Sequence, residues 1–184
     1  MPLTRTVKRT EGSALLEFAI VLPLLVVFIV GIYDFSGAYN QKQKLEHAAQ
    51  AGAIVAGAQP TSDLDPTNTD PESLRPVVNV IFNSLAAQSI ISFANQPPCT
   101  VPVAPTPNGG LRWTYEINGC PDTVTIVIDR GVVDAGTPAI VSTEVQVSYP
   151  YHWRFNSVIQ LLFPGASYAA TTDLHETSTV HNQM

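Results

Sequence analysis

The sequence predicts an α+β chain: a long N-terminal helix, then a small domain with one helix and an antiparallel β-sheet. Three observations predict it. From Ser13 to Tyr33 the only charge is Glu17, and a helix of that length rises about 31 Å, roughly one bilayer core. From Ala38 to Ala58 the chain turns polar and alanine-rich but keeps helical spacing. Beyond residue 110, runs rich in Val, Ile, Thr, Tyr and Trp alternate at period two.

The chain has 184 residues, of which 45% are hydrophobic and 13% charged, with a formal net charge of −6. That balance excludes a wholly disordered chain. It also excludes nucleic-acid binding through a general basic surface. The charge is unevenly placed. Arg5, Lys8 and Arg9 against Glu11 give residues 1–12 a net of +2, whereas residues 61–184 hold four Arg, no Lys and eleven acids. A basic tip, an apolar helix and an acidic remainder describe a chain that meets a membrane near one end.

The apolar residues Leu15, Leu16, Phe18, Ile20, Leu22 and Leu24–Val30 leave no polar face, which an interfacial helix would show. A single transmembrane span over residues 13–37 is therefore expected, continued by an extracytoplasmic extension over residues 38–58. The positive-inside rule puts residues 1–12 in the cytoplasm and the rest outside. The competitor is a secretory signal peptide cut after Ser36-Gly37-Ala38. Against it, the uncharged run Phe18–Tyr33 exceeds a usual apolar core, and helical sequence continues past Ala38.

Glu17 needs a reason, because a carboxylate within an apolar span is costly. Either it sits in the headgroup layer, one turn into the helix, or it meets a positive partner in an assembly. Pro23 removes one backbone donor inside the span and predicts a kink. Farther on, Ala38, Gln41, Leu45, Ala48, Gly52 and Val55 form a narrow seam, and Ala48, Gly52 and Ala56 a small-residue row. The seam packs either on the chain's own domain or between subunits. Gln59-Pro60 ends the helix.

The stretch Lys8-Arg9-Thr10-Glu11-Gly12, then Ser13-Ala14-Leu15-Leu16-Glu17-Phe18, resembles a prepilin cleavage motif: a short basic leader ending in Gly, and Glu at the fifth position after the cut. With Pro23, Gly31-Ile-Tyr-Asp-Phe35 and Leu45-Glu-His-Ala-Ala-Gln-Ala-Gly52, residues 8–58 resemble the TadE-like family of the tight-adherence (Flp, type IVb) pilus system. The resemblance implies a pilin-like fold, and cleavage between Gly12 and Ser13 by a membrane-embedded prepilin peptidase. It also implies that Glu17 pairs with the new Ser13 amine of a neighbouring subunit. Its partners would be the peptidase, other pilins or pseudopilins, and pilus assembly proteins, at the inner (cytoplasmic) membrane. Phe18 departs from the Tyr usual in major Flp pilins, and the added 120 or so residues point to an accessory pseudopilin. A single-pass envelope protein with an unrelated partner-binding domain is the alternative.

Residues 61–184 suit one small globular domain. Asp70 and Pro71 are expected to start a helix over about residues 71–93, with Pro76 able to delay it. Strands are expected at Arg112–Asn118, Thr123–Arg130 and Ile140–Pro150, a short helix at Asn156–Phe163, and a last strand within Ala166–Thr177. Cys99 and Cys120 are the only cysteines, and the extracytoplasmic side permits a disulfide between them. A two-residue Gly109-Gly110 turn would set Cys99 opposite Cys120. Pro102 opposes that ladder, and an Asn108-Gly109 turn would shift it.

His47, His152, His175 and His181 lack zinc spacing, and Asp122, Asp129 and Asp134 lack that of a calcium loop. With no nucleophile elbow, phosphate loop or redox motif, no enzyme activity, metal, cofactor, nucleic acid or small-molecule substrate is expected. Trp113, Tyr149, Tyr151, His152 and Trp153 form an aromatic set suited to a core or to a partner surface.

Overall fold

Period-two burial on three successive strands builds the sheet. In the computed structural model, which describes residues 10–92, 96–136, 139–155, 160, 165 and 171–183, α1 runs Thr10–Ala58. A 3-10 turn at Glu72–Leu74 leads into α2, Arg75–Ala87. Five strands follow: β1 Thr106–Pro107, β2 Arg112–Cys120, β3 Asp122–Asp134, β4 Ile140–His152 and β5 Thr171–His181. They pair antiparallel in the order β1-β2-β3-β4-β5, a meander. The class is α+β. The chain divides into two compact units, Met1–Gly37 with Trp153–Ala170, and Ala38–His152 with Thr171–Met184.

In the second unit, register stacks apolar residues in rows across the strands. Trp113, Ile128 and Val145 form one row, and Tyr115, Ile126 and Val147 the next. All six are buried. Against this face lie Val77, Val78, Ile81, Phe82 and Leu85 of α2, and Leu45, Ala48, Ala49, Ala53 and Ala56 of α1. On β5 the row ends in Glu176 and Ser178, and Lys42 reaches Glu176 at 3.2 Å.

Small residues on α1 set how closely these layers approach. A Cβ on Gly52 would lie 2.5 Å from both Cγ1 and Cδ1 of Ile81. Gly119 is fixed by its backbone as well: its φ is +78°, and a Cβ there would lie within 3.4 Å of three Pro98 ring atoms.

Several boundaries differ from those expected. α2 begins at Arg75, because Pro76 has no N–H and suits a first turn. Asp70 does not cap it. Its carboxylate pairs with Arg75 at 2.6 Å, and Asp63 Oδ2 accepts the Ser73 N–H at 2.8 Å instead. α2 ends at Ala87, not near residue 93: Ser89 takes a positive φ of 56°, and the Ile90 N–H closes on the Leu85 carbonyl. Lys44 Nζ donates to the Gln88 carbonyl there, a cation at a helix C-terminus.

The strands run longer than their apolar cores suggest, and β5 reaches His181 rather than Thr177. The short helix at residues 156–163 lies almost wholly outside the described residues, as do residues 166–170 of the last strand.

Cys99 and Cys120 form a disulfide, with Cα atoms 4.9 Å apart. The two-residue turn is not what brings them together. Thr106 faces Thr114 and the Asn108 N–H donates to the Arg112 carbonyl, so Gly109-Gly110-Leu111 form a three-residue loop. Pro102 and Pro105 cannot donate to a ladder, and β1 stops after two residues. Cys99 sits in a separate turn, bridged to Gln96. Closing this loop contributes about 3 kcal/mol in the chain-entropy account.

Arg130, 1% exposed, donates from Nη2 to the Gln59 carbonyl just past the end of α1. Burial lowers its pKa, with Asp63 opposing the shift. Burial pushes the Tyr115 hydroxyl from 10.0 up to about 12, with Asp70 adding to the rise, and Tyr149 rises too, chiefly through burial.

Two outcomes follow from this packing. Gly52→Ala should lower the unfolding free energy by about 1–3 kcal/mol through overpacking, outweighing alanine's better helix propensity of about 0.5–1 kcal/mol. Adding Ile81→Val, which removes Cδ1, should restore part of the loss in a double-mutant cycle. Second, a folded-state pKa above the unfolded one gives stability that is lost as pH rises. Denaturation series should therefore show stability falling from pH 10.0 towards about pH 12. Tyr115→Phe should flatten that fall and be nearly neutral at pH 7, since the hydroxyl has no hydrogen-bond partner among the described residues.

Candidate functional site

Gly12, Ser13 and Glu17 lie in α1 near the start of the described residues. A Cβ on Gly12 would meet nothing within 4 Å, so packing does not demand a glycine here, unlike at Gly52 or Gly119. Ser13 Oγ donates to Glu17 Oε1 at 3.2 Å across one helical turn. Both side chains are exposed, as is Phe18.

The apolar run that follows is bare. Leu15, Leu16, Ile20, Leu24, Phe28 and Ile32 are 59–71% exposed, and no part of the most apolar 18-residue window is buried. This is the one described helix long and apolar enough to cross a membrane. α1 continues through Pro23 without a break in its helical assignment.

At the end of the run Asp34 is 2% exposed, although it carries a carboxylate on an otherwise apolar surface. Its Oδ2 accepts the Phe155 N–H at 2.7 Å, and the Phe35 ring stands edge-on to Trp153, centroids 5.2 Å apart. The sequence offered Asp34 only as part of Gly31-Ile-Tyr-Asp-Phe35 and gave it no task of its own. The signal was present in the pairing of Asp34-Phe35 with a later aromatic segment, but nothing local links residues 120 positions apart.

The seam residues Leu45, Ala48, Gly52 and Ala56 are buried under the chain's own α2 and sheet. Of the aromatic set, Trp113 and Tyr149 are core residues. Trp113 Nε1 donates to the Asn68 carbonyl at 3.0 Å, and the Tyr149 hydroxyl donates to that of Cys120 at 2.6 Å. Tyr151 and Trp153 are half-buried and His152 is exposed.

The histidines do not converge: His152 meets Asp122 at 2.8 Å and His181 meets Ser142 at 3.0 Å. Among the described residues no group of three or more His, Cys, Asp or Glu is placed to hold a metal ion.

What the arrangement offers chemically is a loosely held glycine–serine bond at the mouth of an exposed apolar helix, with a carboxylate one turn inside. No curated protein and no solved structure matches the chain at a significant level. Over residues 12–53, from that glycine through the apolar run and into the buried seam, the chain matches the model of the TadE-like protein family.

Proposed function

We propose that the chain is a membrane-anchored minor pilin or pseudopilin of a tight-adherence (Flp, type IVb) pilus, cut between Gly12 and Ser13 by a prepilin peptidase. The observation that carries the reading is the coincidence, inside the TadE-like match, of Gly12, Ser13 and Glu17 with the start of the exposed apolar helix. In this reading the chain is a structural component and the peptidase's substrate, not itself an enzyme.

The local structure supports each step. A protease needs extended backbone, and the Gly12–Ser13 bond begins at a residue with low helix propensity that no packing holds. Hydrolysis leaves a carboxylate on Gly12 and a new amine on Ser13, and removes the basic residues Arg5, Lys8 and Arg9 that hold the N-terminus in the cytoplasm. Glu17 then lies one turn from a helix N-terminus, where a negative charge is favoured. A neighbouring subunit's amine would pair with it. Desolvation offsets much of that attraction, so the pair sets register more than it adds stability.

Charge and redox chemistry agree on direction. The basic residues precede the span, and the disulfide-bearing sheet domain follows it, on the periplasmic side of the inner membrane, where disulfides persist. With the seam of α1 already covered, the apolar run is the surface left for helix packing against other subunits.

Co-expression with a prepilin peptidase followed by N-terminal sequencing should give a chain starting at Ser13. A start at Tyr39 would mean signal-peptide cleavage, and an intact N-terminus a plain envelope anchor. Glu17→Gln should leave membrane insertion and cleavage unchanged but reduce pilus assembly. Assembly at the unaltered level would remove the pairing role.

A further inference from the structure

The pilus reading gives no task to the segment that leaves β4. We infer that Trp153, Arg154 and Phe155, held on α1 through Asp34, form a second membrane contact, with an apolar groove beside them that takes lipid acyl chains at the bilayer boundary. This rests on the reading of α1's apolar run as a membrane span.

The groove has a volume of about 300 Å³ and is lined by Val27, Phe28, Gly31 and Ile32 of α1 together with Trp153 and Phe155. Asp34 fixes the second wall by accepting the Phe155 N–H, and the Phe35–Trp153 ring contact fixes the first aromatic. A carboxylate spent on a backbone amide, 2% exposed, is a tether for that segment rather than a solvent-facing charge.

Depth selects the occupant. At 1.5 Å per residue, Ile32 lies about 29 Å along the helix from Ser13, one hydrocarbon thickness, so the groove falls at the far boundary of the bilayer. Tryptophan favours that layer. The groove's α1 wall is continuous with the surface the span presents to lipid: Phe28 is 63% and Ile32 70% exposed. Arg154 is exposed between the two aromatics, where a cation meets anionic headgroups. From Phe155 to Thr172 the sequence carries no charge.

The test uses the full chain reconstituted in phosphatidylcholine–phosphatidylglycerol vesicles, checked by flotation, with lipids brominated either high or low on the acyl chain. The chain has two tryptophans, and Trp113 is 1% exposed within the sheet core. Shallow bromines should remove most of the Trp153 emission and deep bromines little. Trp153→Phe should abolish the bromine-sensitive part, and Trp113→Phe should retain it. Asp34→Ala should weaken the shallow quenching, because the tether to Phe155 is gone.

A chain that floats with the vesicles but whose emission ignores bromine at every depth overturns the lipid contact while leaving the span in place. That is also the result if a second copy's helix fills the groove. A chain that does not float overturns the span and this contact together.

Discussion

Most apolar side chains along the first half of α1 have little protein over them, and this dictates most of what the molecule has to do. Residues from Leu15 to Ile32 include about a dozen Leu, Ile, Val and Phe side chains that are 41–71% exposed. Full burial of such a side chain is worth about 1.5–3 kcal/mol, so half-exposure of a dozen forfeits on the order of 10 kcal/mol. A whole domain's net stability is only about 5–15 kcal/mol. Water is therefore not the medium for this helix; lipid or other apolar helices must be. Glu17 does not reverse the balance. Even at mid-membrane an acid costs about 2.5–3.5 kcal/mol on insertion scales, and one near the end of a span costs less.

The second half of the same helix solves the opposite problem. Its Ala and Gly positions bury little area each, but they let the α1 backbone approach α2 and the sheet closely enough for Ile81 and Val145 to reach Gly52. Gly57 repeats the device at the helix end, where its carbonyl accepts the Gln183 N–H. Large core residues come instead from the partners: Trp113, Tyr115, Phe82 and Leu85. One helix thus carries two incompatible surfaces in sequence, bulky and outward first, then small and inward.

How far this was legible from sequence follows from the range of each signal. The apolar run, the small-residue row and the period-two strands are local patterns, and the α+β class followed from them. The disulfide pairing followed from there being two cysteines, but its geometry did not. Register near Gly109-Gly110 depends on where Leu111 closes the loop and on prolines at 102 and 105 that deny β1 its length. The start of α2 turned on a competition between Asp63 and Asp70 that only the folded loop decides: the nearer acid was captured by Arg75, leaving the Ser73 amide to the farther one. The role of Asp34 was not legible because its hydrogen-bond partner, the Phe155 N–H, comes from beyond four of the five strands in sequence.

The extent of the family match sharpens the physical division. It begins at Gly12 and ends at residue 53, inside the stretch of α1 that is buried on the sheet, while every strand lies outside it. A sheet can satisfy Ala48, Gly52 and Ala53 with many sequences, since all it must supply is an apolar face with shallow contours. The helix has less freedom. On the proposed reading its start must be open to the peptidase, its next twenty residues must suit lipid, and Glu17 must keep its place one turn from Ser13; its buried seam must in any case stay small. Those demands fall on successive positions of one element, and the matched residues lie wholly within it.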